Sequence, residues 1–133
     1  MNNVILGSFF NEHGEVYPET LIVSFLNQTL RVRLELGART SFVISFKPIA
    51  EFIKSNRLSS SDSSTKQIAV NGHYSNLQAG VNTTKGEMLV SYRANSECEL
   101  IGIAAPDCGK IEVRLDRLIP YMEPSLRRFL ANL

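Results

Sequence analysis

The two histidines and two cysteines of this sequence are the side chains considered first as nucleophile, general base or zinc ligand. They are His13, His73, Cys98 and Cys108. A cysteine attacks as a thiolate, so a catalytic Cys108 would need a lowered pKa and a base such as His73 to take its proton. Such a pair would make the protein a small hydrolase. The sequence around Cys108 is explained more simply as a turn between two strands, with the cysteine in a small apolar site.

The nearest approach to a metal site combines a His-Gly-Glu element at 13–15 with a Pro-Asp-Cys element at 106–108. Zinc deaminases use His-x-Glu and Pro-Cys-x-x-Cys elements, in which one histidine and two closely spaced cysteines hold the metal. The second element fails here, because Cys108 does not directly follow the proline and Cys98 lies far upstream. A structural zinc site also needs a fourth ligand. We therefore predict no metal site, no cofactor and no catalytic residue.

An acidic stretch lies near the start of the chain, where residues 1–30 contain no lysine or arginine. A local negative field of this kind steers a positively charged partner, and tyrosine adds a large contact area with one polar group. The alternative is that the glutamates only keep a loop soluble. The predicted contact residues for a basic partner are Glu12, Glu15, Tyr17 and Glu19.

A second candidate contact surface lies on a strand predicted over residues 30–36. Its apolar residues alternate with Arg31, Arg33 and Glu35, so these three side chains are expected on the solvent face. Such arginines could line a groove for a single-stranded nucleic acid. The formal net charge of the chain is only +1, and there is no aromatic RNA-binding signature. We therefore predict a protein partner rather than nucleic acid.

Length and composition indicate one ordinary globular domain. The chain has 133 residues, of which 44% are hydrophobic and 20% charged, and this length is close to the commonest domain size. The longest apolar runs are too short to cross a bilayer, and the N-terminus lacks the features of a secretory signal. These observations predict a single domain over residues 1–133 in the cytoplasm. Two cysteines are then expected as free thiols, although their spacing also permits a bridge.

Alternation of apolar and polar residues predicts an antiparallel sheet in the first half of the chain. Asn27-Gln28 is a tight connection between the first two of these strands, and residues 37–39 are a glycine-containing turn before the third. Pro48 then begins a short amphipathic helix, because apolar residues follow it at spacings of three and four. The predicted elements are strands over 20–26, 30–36 and 40–46 and a helix over 48–58.

The second half shows the same pattern less regularly. Asn71-Gly72 is a strong turn dipeptide, so a strand over 67–70 is expected to end there and His73 to lie in a hairpin turn. A C-terminal helix is predicted after Pro124, because its apolar residues recur along one face. The further predicted elements are strands over 87–93, 98–105 and 110–115 and a helix over 125–133.

These elements predict an α+β domain of mostly antiparallel β structure, with about six to eight strands, a short middle helix and a C-terminal helix. The strands are expected to form a meander or a partly closed barrel or sandwich. Residues 59–66 are predicted to form a mobile Ser-rich loop, because their side chains can bury little surface.

The sequence contains no phosphate-binding glycine loop, nucleophile elbow or zinc-protease helix. Small size, a β-rich sheet and the lack of a catalytic motif suit a bacterial inhibitor, immunity or adaptor protein that blocks or escorts a macromolecular partner. We expect that partner to be a basic protein such as a toxin or a nuclease, and we expect no membrane association. The alternatives are a small nucleic-acid-binding β-domain and a hydrolase using Cys108 and His73.

Overall fold

The protein is an eight-stranded antiparallel barrel with helices at one end. The computed structural model describes residues 3–35, 40–59 and 65–131. The strands are β1 (Asn3–Phe10), β2 (Val16–Leu26), β3 (Thr29–Leu34), β4 (Thr40–Ser45), β5 (Lys66–Asn76), β6 (Val81–Ala94), β7 (Glu99–Ala105) and β8 (Gly109–Arg114). The helices are α1 (Lys47–Ser59), α2 (Leu115–Leu118) and α3 (Pro124–Ala131), with a 3₁₀ turn at Ile119–Tyr121. Each strand pairs with its neighbours in sequence, and β8 pairs with β1 to close the sheet. The predicted α+β class is confirmed.

Inward-facing side chains fill the barrel with apolar groups. On β3, Leu30, Val32 and Leu34 are buried whereas Arg31 and Arg33 are exposed. This is the predicted two-residue alternation, in which successive side chains point to opposite faces of the sheet. A barrel of eight strands is just wide enough for side chains to fill its interior. Burial of each large apolar side chain contributes about 1.5–3 kcal/mol.

The connection between β2 and β3 is the tight turn that the sequence predicts. Asn27 and Gln28 have φ angles of 50° and 60°. Positive φ at both central residues matches the twist of the flanking strands in a two-residue hairpin. The backbone N–H of Gln28 also donates a hydrogen bond to the carboxylate of Glu123, which precedes α3. This turn is therefore held against the helical end of the barrel.

The turn predicted at Asn71-Gly72 is wrong, because β5 continues through this dipeptide to Asn76. Gly72 pairs with Ile44 on one side and Gly86 on the other. A Cβ atom at position 72 would overlap the carbonyl oxygen of Val43. Glycine is therefore required at this position because strands β4 and β5 approach closely, and not because the chain turns.

Strand β1 is absent from the sequence prediction. Its outward residues Val4 and Leu6 are apolar although they are 49% and 60% exposed, so the positions on both sides of buried Ile5 are apolar. The two-residue signal is lost when both faces are apolar. Strand β2 likewise begins at Val16, earlier than the predicted strand over 20–26.

Parts of the predictions lie outside the described residues. These are the glycine turn at 37–39, residue 36 of the predicted β3 strand, positions 60–64 of the Ser-rich loop and the last two residues of the chain. Among the described residues, no helix is both long enough and apolar enough to span a membrane.

Helices α1 and α3 cover the end of the barrel opposite the β1–β2 loop. Ile49 and Ile53 on α1 are fully buried, as are Leu126 and Leu130 on α3 to within a few per cent. Phe129, predicted on the core face of the C-terminal helix, is instead 37% exposed. The ammonium of Lys54 lies 4.3 Å from the Phe129 ring centroid, a cation–π contact that covers part of the ring.

Arg57 on α1 ties the helices to the sheet. Its guanidinium donates two hydrogen bonds of 2.6 Å to the carboxylate of Glu99, at the start of β7, and one of 2.6 Å to the carbonyl oxygen of Leu130 on α3. The hydroxyl of Tyr92 on β6 donates a further bond of 2.5 Å to Glu99. The Arg57 and Glu99 side chains are only 17% and 27% exposed. One guanidinium thus links α1, α3 and the sheet.

The Glu99 carboxylate is stabilised in its charged form. Burial alone would raise the pKa of Glu99, but hydrogen bonds from Arg57 and Tyr92 and the charge of Arg57 outweigh burial and hold the pKa below 4.5. Burial, followed by the neighbouring Glu99, raises the pKa of Tyr92 to about 12. The carboxylate and the neutral phenol are therefore the preferred forms of this pair at neutral pH.

The first prediction concerns this cluster. Glu99→Gln replaces the charged carboxylate that accepts hydrogen bonds from Arg57 and Tyr92. We expect this change to lower the free energy of unfolding at neutral pH by about 1.5–3 kcal/mol. Because the folded-state pKa of Glu99 is depressed, its contribution is present above pH 4.5 and is lost as the pH falls through the lower folded value. Urea unfolding at pH 7 and at several values below pH 4.5 measures both effects.

The control for this prediction is Glu97→Gln, an exposed glutamate in the neighbouring β6–β7 connection. This variant should unfold like the wild type across the same pH range. If Glu99→Gln were as stable as the wild type at pH 7, or if its deficit persisted unchanged at low pH, the assigned role of Glu99 would be wrong.

The second prediction concerns Gly72. Gly72→Ala should destabilise the protein by about 3 kcal/mol or more, because the added methyl group overlaps backbone of β4 that cannot move without breaking the sheet. Asn71→Ala, at the exposed neighbouring position, should change the free energy of unfolding little. Thermal unfolding of the two variants distinguishes the strand observed here from a turn, in which alanine at 72 would be tolerated better.

Candidate functional site

Three polar connections meet at the end of the barrel that the helices leave uncovered. In an up-and-down barrel, the connections that leave odd-numbered strands lie at one end and those that leave even-numbered strands at the other. The described odd-numbered connections are residues 11–15, 77–80 and 106–108. Helix α1 follows β4, so it lies at the opposite end. We refer to the end without helices as the open end.

A cleft of about 460 Å³ lies at the open end. Its volume is within the range of about 300–1,000 Å³ that is usual for ligand sites, and the mouth of a barrel is a common place for one. Among the described residues that line it there is no lysine, arginine or histidine. The acidic cleft, as we call it, has as its polar lining residues Asn11, Glu12, Tyr17, Glu19, Asn76, Gln78 and Asp107.

The alternation of β2 places two of the predicted contact residues in this cleft. Tyr17 and Glu19 belong to the same inward-facing row as Leu21 and Val23, which are buried in the core. Tyr17 and Glu19 lie beyond the apolar core at the open end, so they face the cleft instead of other core side chains. Partial burial raises the pKa of Glu19, because removal of water disfavours the charged form.

The loop at 11–15 separates the roles of two glutamates. The Asn11 side-chain oxygen accepts hydrogen bonds of 2.9 Å from the backbone N–H groups of His13 and Glu15. The Glu15 carboxylate accepts bonds from the Asn11 amide at 3.0 Å and the Tyr17 hydroxyl at 3.3 Å, and these bonds lower the pKa of Glu15. Glu15 thus organises the loop and does not line the cleft. Glu12 does line it, and its Oε1 lies 3.7 Å from His13 Nε2.

The turn between β7 and β8 supplies a third carboxylate to the cleft. Asp107 has a φ of 59° and Gly109 a φ of 78°, both typical of a tight turn. A Cβ atom at Gly109 would overlap the carbonyl oxygen of Phe10, so a glycine is also required for β8 to reach β1. Asp107 was not predicted as a contact residue, because in the sequence it is only the neighbour of Cys108. Its position in a turn on the same end as the 11–15 loop was the signal that could have revealed it.

The residues of the alternative hydrolase lie in different environments. Cys108 is 1% exposed, and burial, followed by the charge of Asp107, raises the pKa of its thiol. A nucleophilic cysteine needs the opposite shift. His73 lies on the outer face of β5, in register with Val43 and Lys85. The structure therefore lends no geometric support to a Cys108 and His73 pair.

Cys98 and Cys108 flank opposite ends of β7, and both are free thiols. Within the described ranges, no group of three or more histidine, cysteine, aspartate or glutamate side chains is arranged to hold a metal ion. His13 and the 106–108 turn both lie at the open end, whereas Cys98 lies beyond the other end of β7. The ligand set considered from the sequence is therefore not assembled.

Arg31, Arg33 and Glu35 are exposed, as predicted for the outer side of β3 and the residue after it. The two arginines border a shallow groove of about 250 Å³ on the outside of β2, β3 and β4. The acidic cleft is lined by residues of the open end, so the two sets of predicted contact residues form separate surfaces of opposite charge.

Comparison with known proteins gives no match. No protein-family model matches the chain, and neither a curated protein nor a solved structure matches it. Any functional inference therefore rests on the acidic cleft and on the groove beside Arg31 and Arg33.

The third prediction concerns the two thiols. In the native protein a thiol reagent such as iodoacetamide should label the half-buried Cys98 and leave Cys108 unmodified, because burial denies access and raises the thiol pKa. Both should react after unfolding in urea. Peptide mapping by mass spectrometry identifies the labelled site. Rapid labelling of Cys108 in the native protein would contradict this prediction and support a nucleophilic role for Cys108.

Proposed function

We propose that this protein is a binding module whose acidic cleft receives a basic group of a macromolecular partner. One observation carries the proposal: Glu12, Glu19 and Asp107 come from three separate segments and line one cleft that contains no cationic lining residue in the described chain. Three carboxylates around one recess without a described lining cation give it a negative field, which attracts a positively charged group of a partner.

The cleft has groups suited to the side chain of arginine or lysine. Phe9 and Tyr17 pair across β1 and β2 and both line the cleft. Aromatic faces accept the aliphatic stem or the charged end of a basic side chain. The carboxylates of Glu12, Glu19 and Asp107 then accept hydrogen bonds from a guanidinium or an ammonium group.

Apolar side chains near the cleft favour a protein partner over a small cation. Val16, Tyr17 and Leu77 belong to the open end and are 53%, 44% and 55% exposed. Exposed apolar groups beside a charged recess are typical of a surface that another macromolecule covers. Tyrosine in particular is enriched at protein interfaces because it offers a large rigid contact with a polar end.

The finer proposal is that the protein acts as a bacterial inhibitor, immunity or adaptor protein in the cytoplasm. A toxin or a nuclease that binds phosphate groups does so through lysine and arginine. An acidic cleft offers carboxylates to those same side chains, and occupying them would block the partner's access to its substrate. The proposed role is therefore to block or escort a basic protein by neutralising its functional surface.

The fourth prediction tests the cleft. Glu12→Gln combined with Glu19→Gln should weaken binding of the purified partner by about tenfold or more, because two charges that face the partner are removed. The thermal stability should remain near that of the wild type, since neither side chain belongs to the apolar core. The partner is first obtained by affinity capture with the wild-type protein, and the dissociation constant is then measured by calorimetry for each variant.

The matched control is Glu51→Gln combined with Glu97→Gln, which changes the net charge equally at exposed positions that do not line the cleft. Equal weakening by both pairs would reveal a general charge effect and contradict a role for the cleft. Unchanged binding in the Glu12 and Glu19 variant would also overturn the proposal. Loss of binding together with loss of stability would show that these residues are structural.

A further inference from the structure

Two arginines on the outside of β3 have no ion-pair partner in the described part of the chain. The two arginines on other described strands each lie beside a carboxylate: Arg93 is 3.4 Å from Glu112, and Arg114 is 2.6 Å from Asp116. Arg31 and Arg33 are exposed and make no ion pair with any residue that the structure describes. Their guanidinium groups are therefore available to an external anion.

Strand register places His73 and Lys85 in line with Arg31 on the outside of the barrel. Arg31 lies opposite Val43, Val43 opposite His73, and His73 opposite Lys85. Arg31, Val43 and His73 lie on the outer face, because buried side chains lie beside them on their strands. Lys85 is exposed and lies on the outer face of β6, because it alternates in step with the residues between buried Met88, Val90 and Tyr92. Adjacent strands are about 4.8 Å apart, so this row crosses β3 to β6 without a break. We call Arg31, Arg33, His73 and Lys85 the basic face.

A groove gives the basic face a shape as well as a charge. It has a volume of about 250 Å³ and lies across β2, β3 and β4. Ile22 and Val43 supply apolar contact, and hydroxyl groups lie beside the arginines. The outward-facing residues that line the groove are Ile22, Ser24, Arg31, Arg33, Ser41 and Val43.

We propose that this groove binds an extended acidic protein segment in which carboxylates occupy alternate positions. Arg31 and Arg33 are two residues apart on one strand, so their Cα atoms are separated by about 6.6 Å. Side chains on one face of an extended peptide repeat at the same distance. A guanidinium group also accommodates a carboxylate with two parallel hydrogen bonds. The spacing of the two arginines thus matches the spacing of two acidic side chains in such a segment.

The lining of the groove favours a protein segment over a single-stranded nucleic acid. Proteins that bind single strands stack the bases on exposed aromatic side chains, and no aromatic residue lines the groove in the described part of the chain. Ile22 and Val43 instead offer aliphatic contact for the side chains or backbone of a peptide. This surface has the opposite charge to the acidic cleft, so the inference goes beyond the proposed function and does not depend on it.

The fifth prediction tests the groove with two fluorescent peptides of the same composition. In one, glutamate alternates with threonine; in the other, all glutamates precede all threonines. The wild-type protein should bind the alternating peptide about fivefold or more tightly than the block peptide, as measured by fluorescence anisotropy at low salt. Arg31→Ala combined with Arg33→Ala should weaken binding of the alternating peptide by about tenfold.

The matched control is Arg127→Ala combined with Arg128→Ala, which removes two exposed charges from α3 and should leave peptide binding unchanged. Circular dichroism and thermal unfolding establish that each variant is folded. Equal affinity for the two peptides, or equal loss in the two arginine variants, would overturn the proposal. Tighter binding of a thymidine oligonucleotide that depends on Arg31 and Arg33 would overturn it in favour of a nucleic-acid surface.

Discussion

The structure depends on one constraint, the two-residue alternation of side chains along strands that each pair with a neighbour on both sides. Each strand has two neighbours, so a slip of one residue in any strand would exchange its inner and outer side chains. On β2 the alternation that buries Leu21 also directs Glu19 into the acidic cleft. On β3 the alternation that buries Val32 places Arg31 and Arg33 on the outer face. The core, the cleft and the basic face are therefore three results of a single register.

Chain direction then places the helices and the acidic cleft at opposite ends of the barrel. The helices follow even-numbered strands and cover one end of the barrel, where Arg57 joins Glu99 and the last turn of α3. The odd-numbered connections collect polar groups at the other end. No helix of the described chain lies at the open end, so Glu12 and Asp107 are exposed there and Glu19 is half-buried. This division suits a protein that presents charge from a fixed scaffold.

The sequence was most informative where one face of a strand is polar, and least informative where both faces are alike. Alternation at residues 30–34 predicted β3 and the exposure of its arginines, whereas apolar Val4 and Leu6 concealed β1. The Asn71-Gly72 dipeptide has the composition of a turn, but the need for close approach to β4 decides its conformation. Local composition cannot report such contacts, because they are made by residues distant in the chain.

The candidate site shows the same limit. The acidic stretch pointed to Glu12, Tyr17 and Glu19, but the separate role of Glu15 depends on hydrogen bonds within its loop. Asp107 joined the cleft only through barrel closure, which pairs Ser8 with Glu112 across most of the chain. That pairing also has a kinetic consequence, because contacts between distant residues form late in folding. Without this pairing, β1 and β8 would each present an unpaired backbone edge, and β1 would add the exposed side chains of Val4 and Leu6, a combination that favours pairing between chains.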